Sequence, residues 1–418
     1  MKTYIFFTLN DFKKDGGGTV RMQGIVNALA ESGQNVVLAS NAKMHDGFHV
    51  SIKHAYIGVN ISKRQRRIFQ FILALFPSCI AKIIYKNYLL AFSKVLKKEI
   101  DIEKGVIIFF EYFDNSIALF LNKQKVIGEY INDTHGNARL EFLHKNPSAF
   151  FEKIVNIFKY LVAIALDRKL YKNSSGTIFL SNSMKMYFEK YYPFIALRKN
   201  YVVRDGASTE LCRQIINKNK VDKYRKSLNI SAKDKVIMFA GNFKNSGGVL
   251  DLLKAFDILV QKKNIQNIKL LLIGDGECYK EANEFSDRKY LEKKILFIGR
   301  IPYSELCNYQ ELAHIIVCPD KKHPLSELVP HIKYFDALIS GKTVINGSFA
   351  SINDINQNER LSVDFKPSDI DDLSAKIEMV LLDQRKFNLR YGSNKEGVCS
   401  EFSYHNSVKS LLGSQRAK

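Results

Sequence analysis

Between Asp46 and Glu99 the chain has no acidic residue. The same interval carries ten cations, from Lys53 through the cluster Lys63, Arg64, Arg66 and Arg67 to Lys97 and Lys98. They alternate with apolar runs such as 68–69 and 71–76. That composition suits an anionic membrane surface. The alternative is a pair of core-packed helices with a solvated basic face. The imbalance extends to the whole chain, where 63 Lys and Arg against 42 Asp and Glu give a formal charge of +21. A charge of that size calls for an anionic partner. No nucleic acid is expected, because no helix-turn-helix, zinc-finger or RNP-type motif accompanies the basic residues.

Other absences narrow the class. No apolar run reaches the roughly 18 residues that cross a bilayer, and the run ending at Phe76 is cut by Pro77. The apolar stretch at 4–7 is too short for a signal-peptide core and reads as a first buried strand. The six cysteines (Cys79, Cys212, Cys278, Cys307, Cys318 and Cys399) form no CxxC pair, so neither a metal site nor a disulfide framework is expected. Reduced cysteines without an export signal suggest the cytoplasm. There is no low-complexity stretch and no repeat of solenoid period. A length of 418 residues with 46% hydrophobic and 25% charged residues suits two globular domains.

What is present is an alternation of strands and helices. A strand over 4–9 leads into Gly16-Gly17-Gly18, a helix over 19–32 closed by Gly33, and a strand over 35–39. Glycines at the mouth of a βαβ unit let a ligand approach the backbone and the helix-terminal amides. The spacing is neither GxGxxG nor a P-loop, so dinucleotide binding and Walker-type chemistry are unsupported. Strands are expected over 106–110, 126–130, 176–180 and 201–203, with a long helical region over 150–171. The segment 131–136 (Ile-Asn-Asp-Thr-His-Gly) is expected at the carboxyl end of the 126–130 strand, where open α/β sheets place ligand groups. A second set of strands follows at 236–240, 269–273, 295–298 and 315–318, each entering a polar loop. Two doubly wound α/β domains result.

The stretch 326–345 carries the most chemistry. Glu327 reads as a loop residue. Asp336 lies on a helix one turn after Lys333, Gly341 ends that helix in the left-handed cap, and Thr343-Val344-Ile345 opens a parallel strand. A carboxylate near a loop-to-helix junction suits a ligand with several hydroxyls, such as a sugar or a ribose. The same pattern also fits an ordinary αβ unit with solvated charges.

Taken in order, these pieces resemble the retaining GT-B glycosyltransferases of the group 1 family (family 4). Gly16-Gly17-Gly18 with Arg21 is similar to its amino-terminal glycine loop, and Asp133-Thr134-His135-Gly136 to its histidine loop. Asp205-Gly206 matches the turn opening the linker. Phe239-Ala240-Gly241-Asn242 with Gly247-Gly248 resembles the donor-domain strand and phosphate loop. Gly274-Asp275-Gly276-Glu277, 297–302 and Asp336-Ala337-Leu338-Ile339-Ser340-Gly341-Lys342 follow in family order. The resemblance covers about 1–45 and 125–410. It implies a GT-B architecture, two Rossmann-like domains facing across a cleft: an acceptor-side domain over 1–205, a donor domain over 206–390, and a helical segment over 391–418 that packs back on the first.

The resemblance also assigns roles. Asp336 would bind the ribose of the nucleotide. Glu327, nine residues upstream where the family's sugar-contacting acid stands eight upstream, would serve the transferred sugar if the loop shifts by one residue. Lys333 matches a family variant with Lys three positions before the acid. Gly17, Gly18, Asn242, Lys244, Gly247 and Arg300 complete the donor site, and His135 shapes the acceptor or sugar side. The family's phosphate-clamp Arg and Lys are replaced here by Asn242 and Gly247. Lys244, Lys333 and amides near Gly247-Gly248 would take over the charge. The implied activity is hexosyl transfer from a nucleoside-diphosphate sugar to a glycan or lipid-linked glycan in bacterial lipopolysaccharide or capsule synthesis. It would be retaining and would use no cofactor or metal. The implied location is cytoplasmic and peripheral, at the inner face of the cell membrane. Inverting or epimerising chemistry in the same fold, a non-catalytic GT-B partner of an active transferase and, last, a basic nucleic-acid-binding module are the rivals.

Overall fold

The strand Thr3–Thr8 (β1, TYIFFT) is buried on five consecutive residues, so both of its faces are covered. Such a strand belongs inside a parallel sheet clad by helices on both sides. The computed structural model describes residues 2–9, 17–99, 105–136, 138–144, 150–207, 209–262, 265–392 and 395–413, so Gly16 lies outside the described residues. β1 is followed by β2 (Asn35–Ser40), β3 (Lys53–Tyr56), β4 (Gly105–Phe109), β5 (Tyr130–Thr134), β6 (Gly176–Phe179) and β7 (Lys199–Val202). They form a parallel sheet in the order β3-β2-β1-β4-β5-β6-β7.

The second sheet contains β8 (Lys235–Ala240), β9 (Ile268–Ile273), β10 (Ile295–Gly299), β11 (Ile315–Cys318), β12 (Thr343–Gly347) and β13 (Val363–Phe365). It too is parallel, in the order β10-β9-β8-β11-β12-β13. The chain divides into two units. One comprises residues up to Arg204 together with residues from Ser407 onward, and the other runs from Asp205 to Asn406. In the first unit the terminal helix Lys409–Gly413 is anchored on the sheet: Tyr4 Oη donates to the Leu411 carbonyl and Ser410 Oγ to that of Val202. Among the described residues no helix is long and apolar enough to cross a membrane.

Three sequence expectations are corrected. The strand expected over 126–130 is displaced to Tyr130–Thr134, because Val126 is used to close the preceding helix. Lys125 takes a left-handed φ of 58°, its N–H donates to Asn122, and the Val126 N–H reaches back to Leu121. This paired closure satisfies carbonyls that the helix end leaves without partners. Asn132, Asp133 and Thr134 therefore lie within the strand, and His135 is the first residue beyond it. Glu327 stands on a short helix, Pro324–Leu328, whose first turn is started by Pro324, and not in a loop.

The cysteines are the third correction. Cys212 and Cys399, 187 residues apart, form a disulfide between the helices Thr209–Arg213 and Lys395–Glu401, both in the second unit. Cys79, Cys278, Cys307 and Cys318 are free. Spacing along the chain carries no information about a contact made by two helices so far apart. Titration of the denatured, unreduced protein with a thiol reagent is expected to count those four thiols. Cys399→Ser is expected to lower the stability of the second unit by about 2–4 kcal/mol in denaturant unfolding, through the freedom it returns to the unfolded chain.

Candidate functional site

In an open parallel sheet, ligands bind outside the carboxyl ends of the strands, where the order reverses direction. In the first sheet that point lies between β1 and β4, and in the second between β8 and β11.

In the first unit the helix Gly17–Glu31 begins on Gly17, which is exposed, and Gly18, which is half-buried. A Cβ at Gly18 would lie 3.4 Å from Glu111 Oε1, in the turn after β4. One turn into the helix, Arg21 is 2% exposed. Its guanidinium donates from Nη1 to the Val203 carbonyl at 2.9 Å and from Nη2 to Asp133 Oδ1 at 3.1 Å. Asp133 is fully buried, and His135 Nε2 stands 3.0 Å from its Oδ2, an ion-pair distance with poor hydrogen-bond alignment. Burial opposes ionisation of Asp133, but Arg21 and then His135 outweigh it and hold its pKa below the usual value. The His135 ring also packs edge-on against Phe110, with centroids 4.1 Å apart. Asn115 Nδ2 donates to the Asp133 carbonyl at 3.0 Å. The imidazole is thus fixed at the strand end by a buried carboxylate and an aromatic wall.

In the second unit the loop after β8 contains Gly241, Asn242, Lys244 and the turn Asn245–Gly247, then enters the helix Val249–Val260. Gly248 has φ 71°, and a Cβ there would sit 1.7 Å from the Pro319 carbonyl oxygen, so only glycine fits. Asn242 and Lys244 are exposed, and Gly247 is buried. The N–H groups of Gly247 and Gly248 donate to Lys244 and Asn245, so those two amides are taken up inside the turn. The amides open to an anion are those of the first turn after Gly248. That helix has no side-chain cap.

Around this loop stand cations that are already paired. Lys333, on the helix Ile332–Ile339, donates from Nζ to Asp320 Oδ1 at 2.8 Å and lies 5.3 Å over the Phe239 ring. Lys321 donates to Asn245 Oδ1 at 3.1 Å and stands 3.4 Å from Asp251. Asp336 is 7% exposed; its Oδ1 accepts from Tyr303 Oη at 2.7 Å and its carbonyl from Gln310 at 2.8 Å. Burial pushes its pKa up to about 7, against the Tyr303 hydrogen bond and with the help of Asp205.

Arg300, just after β10, is exposed and stands 3.7 Å from Asp275 in the loop after β9. Glu327 is not aimed at the β8 loop by any contact. Its Oε2 accepts from the Ala350 N–H at 2.9 Å, at the start of the helix Ala350–Asn353.

The ten candidate residues therefore fall into two sets. Gly17, Gly18 and His135 belong to the first unit. Asn242, Lys244, Gly247, Arg300, Glu327, Lys333 and Asp336 belong to the second. Sequence reasoning missed Asp320, Lys321 and Tyr303, which hold or flank Lys333, the β8 loop and Asp336. Asp320 and Lys321 could have been found, since they follow the strand 315–318 at the carboxyl end where ligand groups gather. Tyr303 had no comparable signal.

The Arg21–Asp133 pair is testable by itself. Asp133→Asn leaves a buried guanidinium without its counter-charge and is expected to cost about 3–5 kcal/mol in denaturant unfolding. Arg21→Met is expected to cost a similar amount, with the double variant losing less than the sum of the two.

Comparison with known proteins places these features. Residues 220–397 match the family model described as glycosyl transferases group 1. An uncharacterized glycosyltransferase of Methanocaldococcus jannaschii is 21% identical over 189 residues, which is 45% of this chain and 46% of that protein. The alignment thus spans less than half of that relative's length. Among solved structures, sucrose-phosphate synthase from Thermosynechococcus elongatus superposes with a TM-score of 0.71 at 15% identity, covering 99% of this chain and 98% of the other. HepE of Anabaena, in complex with UDP and glucose, gives 0.70 at 13% identity over the full length of both chains. WaaG, a glycosyltransferase involved in lipopolysaccharide biosynthesis, gives 0.64 at 12% identity, covering 98% of this chain and 99% of the other. Two parallel sheets in this strand order, a glycine loop and buried carboxyl in the second, and a family match laid over both identify residues 220–397 as a group 1 glycosyltransferase domain within a chain of the GT-B fold.

Proposed function

We propose that the chain transfers a sugar from a nucleoside-diphosphate sugar to a glycan or lipid-linked glycan acceptor of cell-surface polysaccharide synthesis, with retention of anomeric configuration. The observation that carries this reading is the Asp336 carboxyl. It is buried, poised near neutrality, oriented by Tyr303, and set on the same helix as Lys333. An ionised carboxylate accepting two vicinal hydroxyl protons is a strong and geometry-selective contact, which suits a ribose. The uncapped helix start at Gly248, with Lys244, Lys321 and Lys333, supplies the positive field that a diphosphate needs as its bond to the sugar breaks. The solved structures of HepE with UDP and glucose and of WaaG support the choice of donor and pathway by likeness of fold alone.

In this reading the acceptor hydroxyl attacks from the face the diphosphate leaves, and the departing phosphate oxygen accepts its proton. No protein base and no metal ion are then required. Lys333 exchanges Asp320 for a phosphate oxygen as charge develops. Arg300 and Gly247 flank the nucleotide. Glu327, held at Oε2 by the Ala350 N–H, acts on the transferred sugar through its other carboxylate oxygen. His135 serves the acceptor or sugar side, and Gly17 and Gly18 contact the donor. The basic interval 47–98 holds the protein peripherally at the inner, anionic face of the cell membrane. The loss of the usual cations at Asn242 and Gly247 is the one feature that favours a non-catalytic partner, and Lys321 answers it by placing a lysine on the same loop from the other side.

The carboxyl predicts a pH dependence. A raised folded-state pKa means that Asp336 contributes stability which is fully present below its unfolded pKa of 3.8 and is lost as pH rises from there through about 7. Nucleotide hydroxyls favour the ionised form, so binding pulls that pKa down and releases a proton. Affinity for the matching nucleotide, from a panel of UDP, GDP, ADP and CMP, is expected to rise roughly tenfold per pH unit up to about pH 6 and to level off above 7. Asp336→Asn is expected to abolish the dependence and most of the binding, as read by calorimetry. Binding by no nucleotide at any pH sinks the reading.

Reaction stereochemistry gives a separate check. The anomeric coupling constant of the first product formed from an α-linked donor, followed by NMR in the presence of a chelator, is expected to report an α-linkage at undiminished rate. A β-linked product would assign inverting chemistry.

A further inference from the structure

We propose that the first three turns of the helix Phe150–Asn173 enter the headgroup boundary of an anionic phospholipid bilayer, steered by the cations of 63–97. This rests on the peripheral reading above and adds the element that inserts, which lies outside the basic interval. Phe150, Phe151, Ile154, Ile157, Phe158 and Leu161 are all exposed, Phe150 by 79% and Phe151 by 74%. At about 100° per residue these six positions fall within an arc of about 120°, a single apolar stripe. Within 150–161 the remaining positions are exposed or half-buried, and the core face of the helix begins only farther on, with Leu166 and Leu170 each 1% exposed. The outward stripe is therefore an addition to the fold and not a part of its core.

The stripe is continuous with the basic segment. The Phe158 ring lies 5.8 Å from that of Phe71, and Phe71 lies 6.0 Å from Phe76, at the end of the helix Lys63–Leu75. Lys169 ties the two helices together by donating to the Leu73 carbonyl at 2.8 Å. Beyond Pro77, Ile83, Ile84 and Leu90 are exposed on the next two helices, Ser78–Ile84 and Lys86–Glu99. Lys63, Arg64, Arg67, Lys82 and Lys86 are exposed among them and make no ion pair with a described residue. An apolar surface of this extent marks an interaction site.

Charge decides the occupant. A second copy seated on the same face would set these cations against each other, since 47–98 offers no acid to pair with them. An anionic bilayer supplies both an apolar phase for the aromatic side chains and negative headgroups for the lysines and arginines. Among the described residues no helix is long and apolar enough to cross a membrane.

The chain has no tryptophan, so Phe151→Trp provides a single reporter. Mixed phosphatidylglycerol and phosphatidylcholine vesicles are expected to shift its emission to the blue, and brominated acyl chains to quench it. Leu389→Trp, exposed in the second unit, is expected to show neither effect. The paired change Phe151→Ser with Phe158→Ser is expected to lower partitioning into these vesicles by about tenfold or more. Its circular dichroism and nucleotide binding should be unchanged, which separates this proposal from the reading of the second unit. Unshifted emission in a protein that still sediments with the vesicles overturns the role of this helix and leaves peripheral association standing. Absence of sedimentation overturns both. A dimer that forms with rising concentration, is lost in the paired variant and ignores vesicles would assign the surface to a second copy, and also overturns the proposal.

Discussion

The approach of Gly248 to the Pro319 carbonyl sets the geometry of the second unit's site. With 1.7 Å between that oxygen and any Cβ at 248, a side chain there would force the β8 loop away from the end of β11. Everything on the two loops depends on that distance. Lys321 reaches Asn245 and Asp251 only because the strand it follows lies against the loop. The helix after Gly248 starts with its amides open only because the left-handed glycine turns the chain sharply into it. A second close packing repeats the device, since a Cβ at Gly274 would meet the Gly241 carbonyl at 1.8 Å. The sheet switch point is therefore assembled from backbone contacts that exclude side chains, which leaves room for a ligand's phosphates at the same place.

The charges around it are arranged so that none is buried alone. Lys333 has Asp320, Lys321 has Asp251, and Asp336 has a hydroxyl donor instead of a cation. The last choice matters most. A lysine or arginine beside Asp336 would hold it ionised at all working pH values, and bound hydroxyls would gain less from it. A tyrosine leaves the carboxyl near its midpoint at neutral pH, so a ligand that favours the charged form changes its state on binding. The first unit takes the opposite course with Asp133, which Arg21 keeps ionised so that it can orient His135. One buried carboxyl is thus built to respond and the other to stay fixed.

The strands, their parallel character and the two-domain pattern were legible because buried parallel strands are short, β-branched or aromatic runs that end in glycine-rich loops. Asp336, Lys333 and Gly341 were legible for the same reason, at the junction of a loop, a helix and such a strand. The displaced strand at Tyr130–Thr134 was not, because its polar Asn132 and Asp133 find partners only in the folded sheet: Leu170 receives the amide of one, and Arg21 meets the carboxylate of the other. Local pattern gave Val126 to a strand, whereas the need to satisfy the carbonyls of a helix end claimed it. The Cys212–Cys399 bridge, the contact of Tyr303 with Asp336 and the engagement of Glu327 by Ala350 are all set by packing between elements far apart in the chain. Composition located the basic interval but not the apolar stripe at 150–161. A stripe of that kind reads as a core face until the structure shows which side of the helix is already covered.

That last distinction bears on what the charge imbalance is for. In the second unit Lys321 and Lys333, beside the β8 loop, are matched by Asp251 and Asp320, so their field is local and available on exchange. In the interval 63–97 the exposed cations have no described acid to meet, and self-repulsion among them costs stability in the folded state. The proposed anionic surface would supply the counter-charge from outside the chain. The neighbouring stripe adds the second half of the argument: a purely electrostatic partner would not require six large apolar side chains to face water, and a purely apolar one would not require the lysines and arginines. The bilayer surface proposed above, negative at its boundary and apolar beneath it, would remove both costs at once.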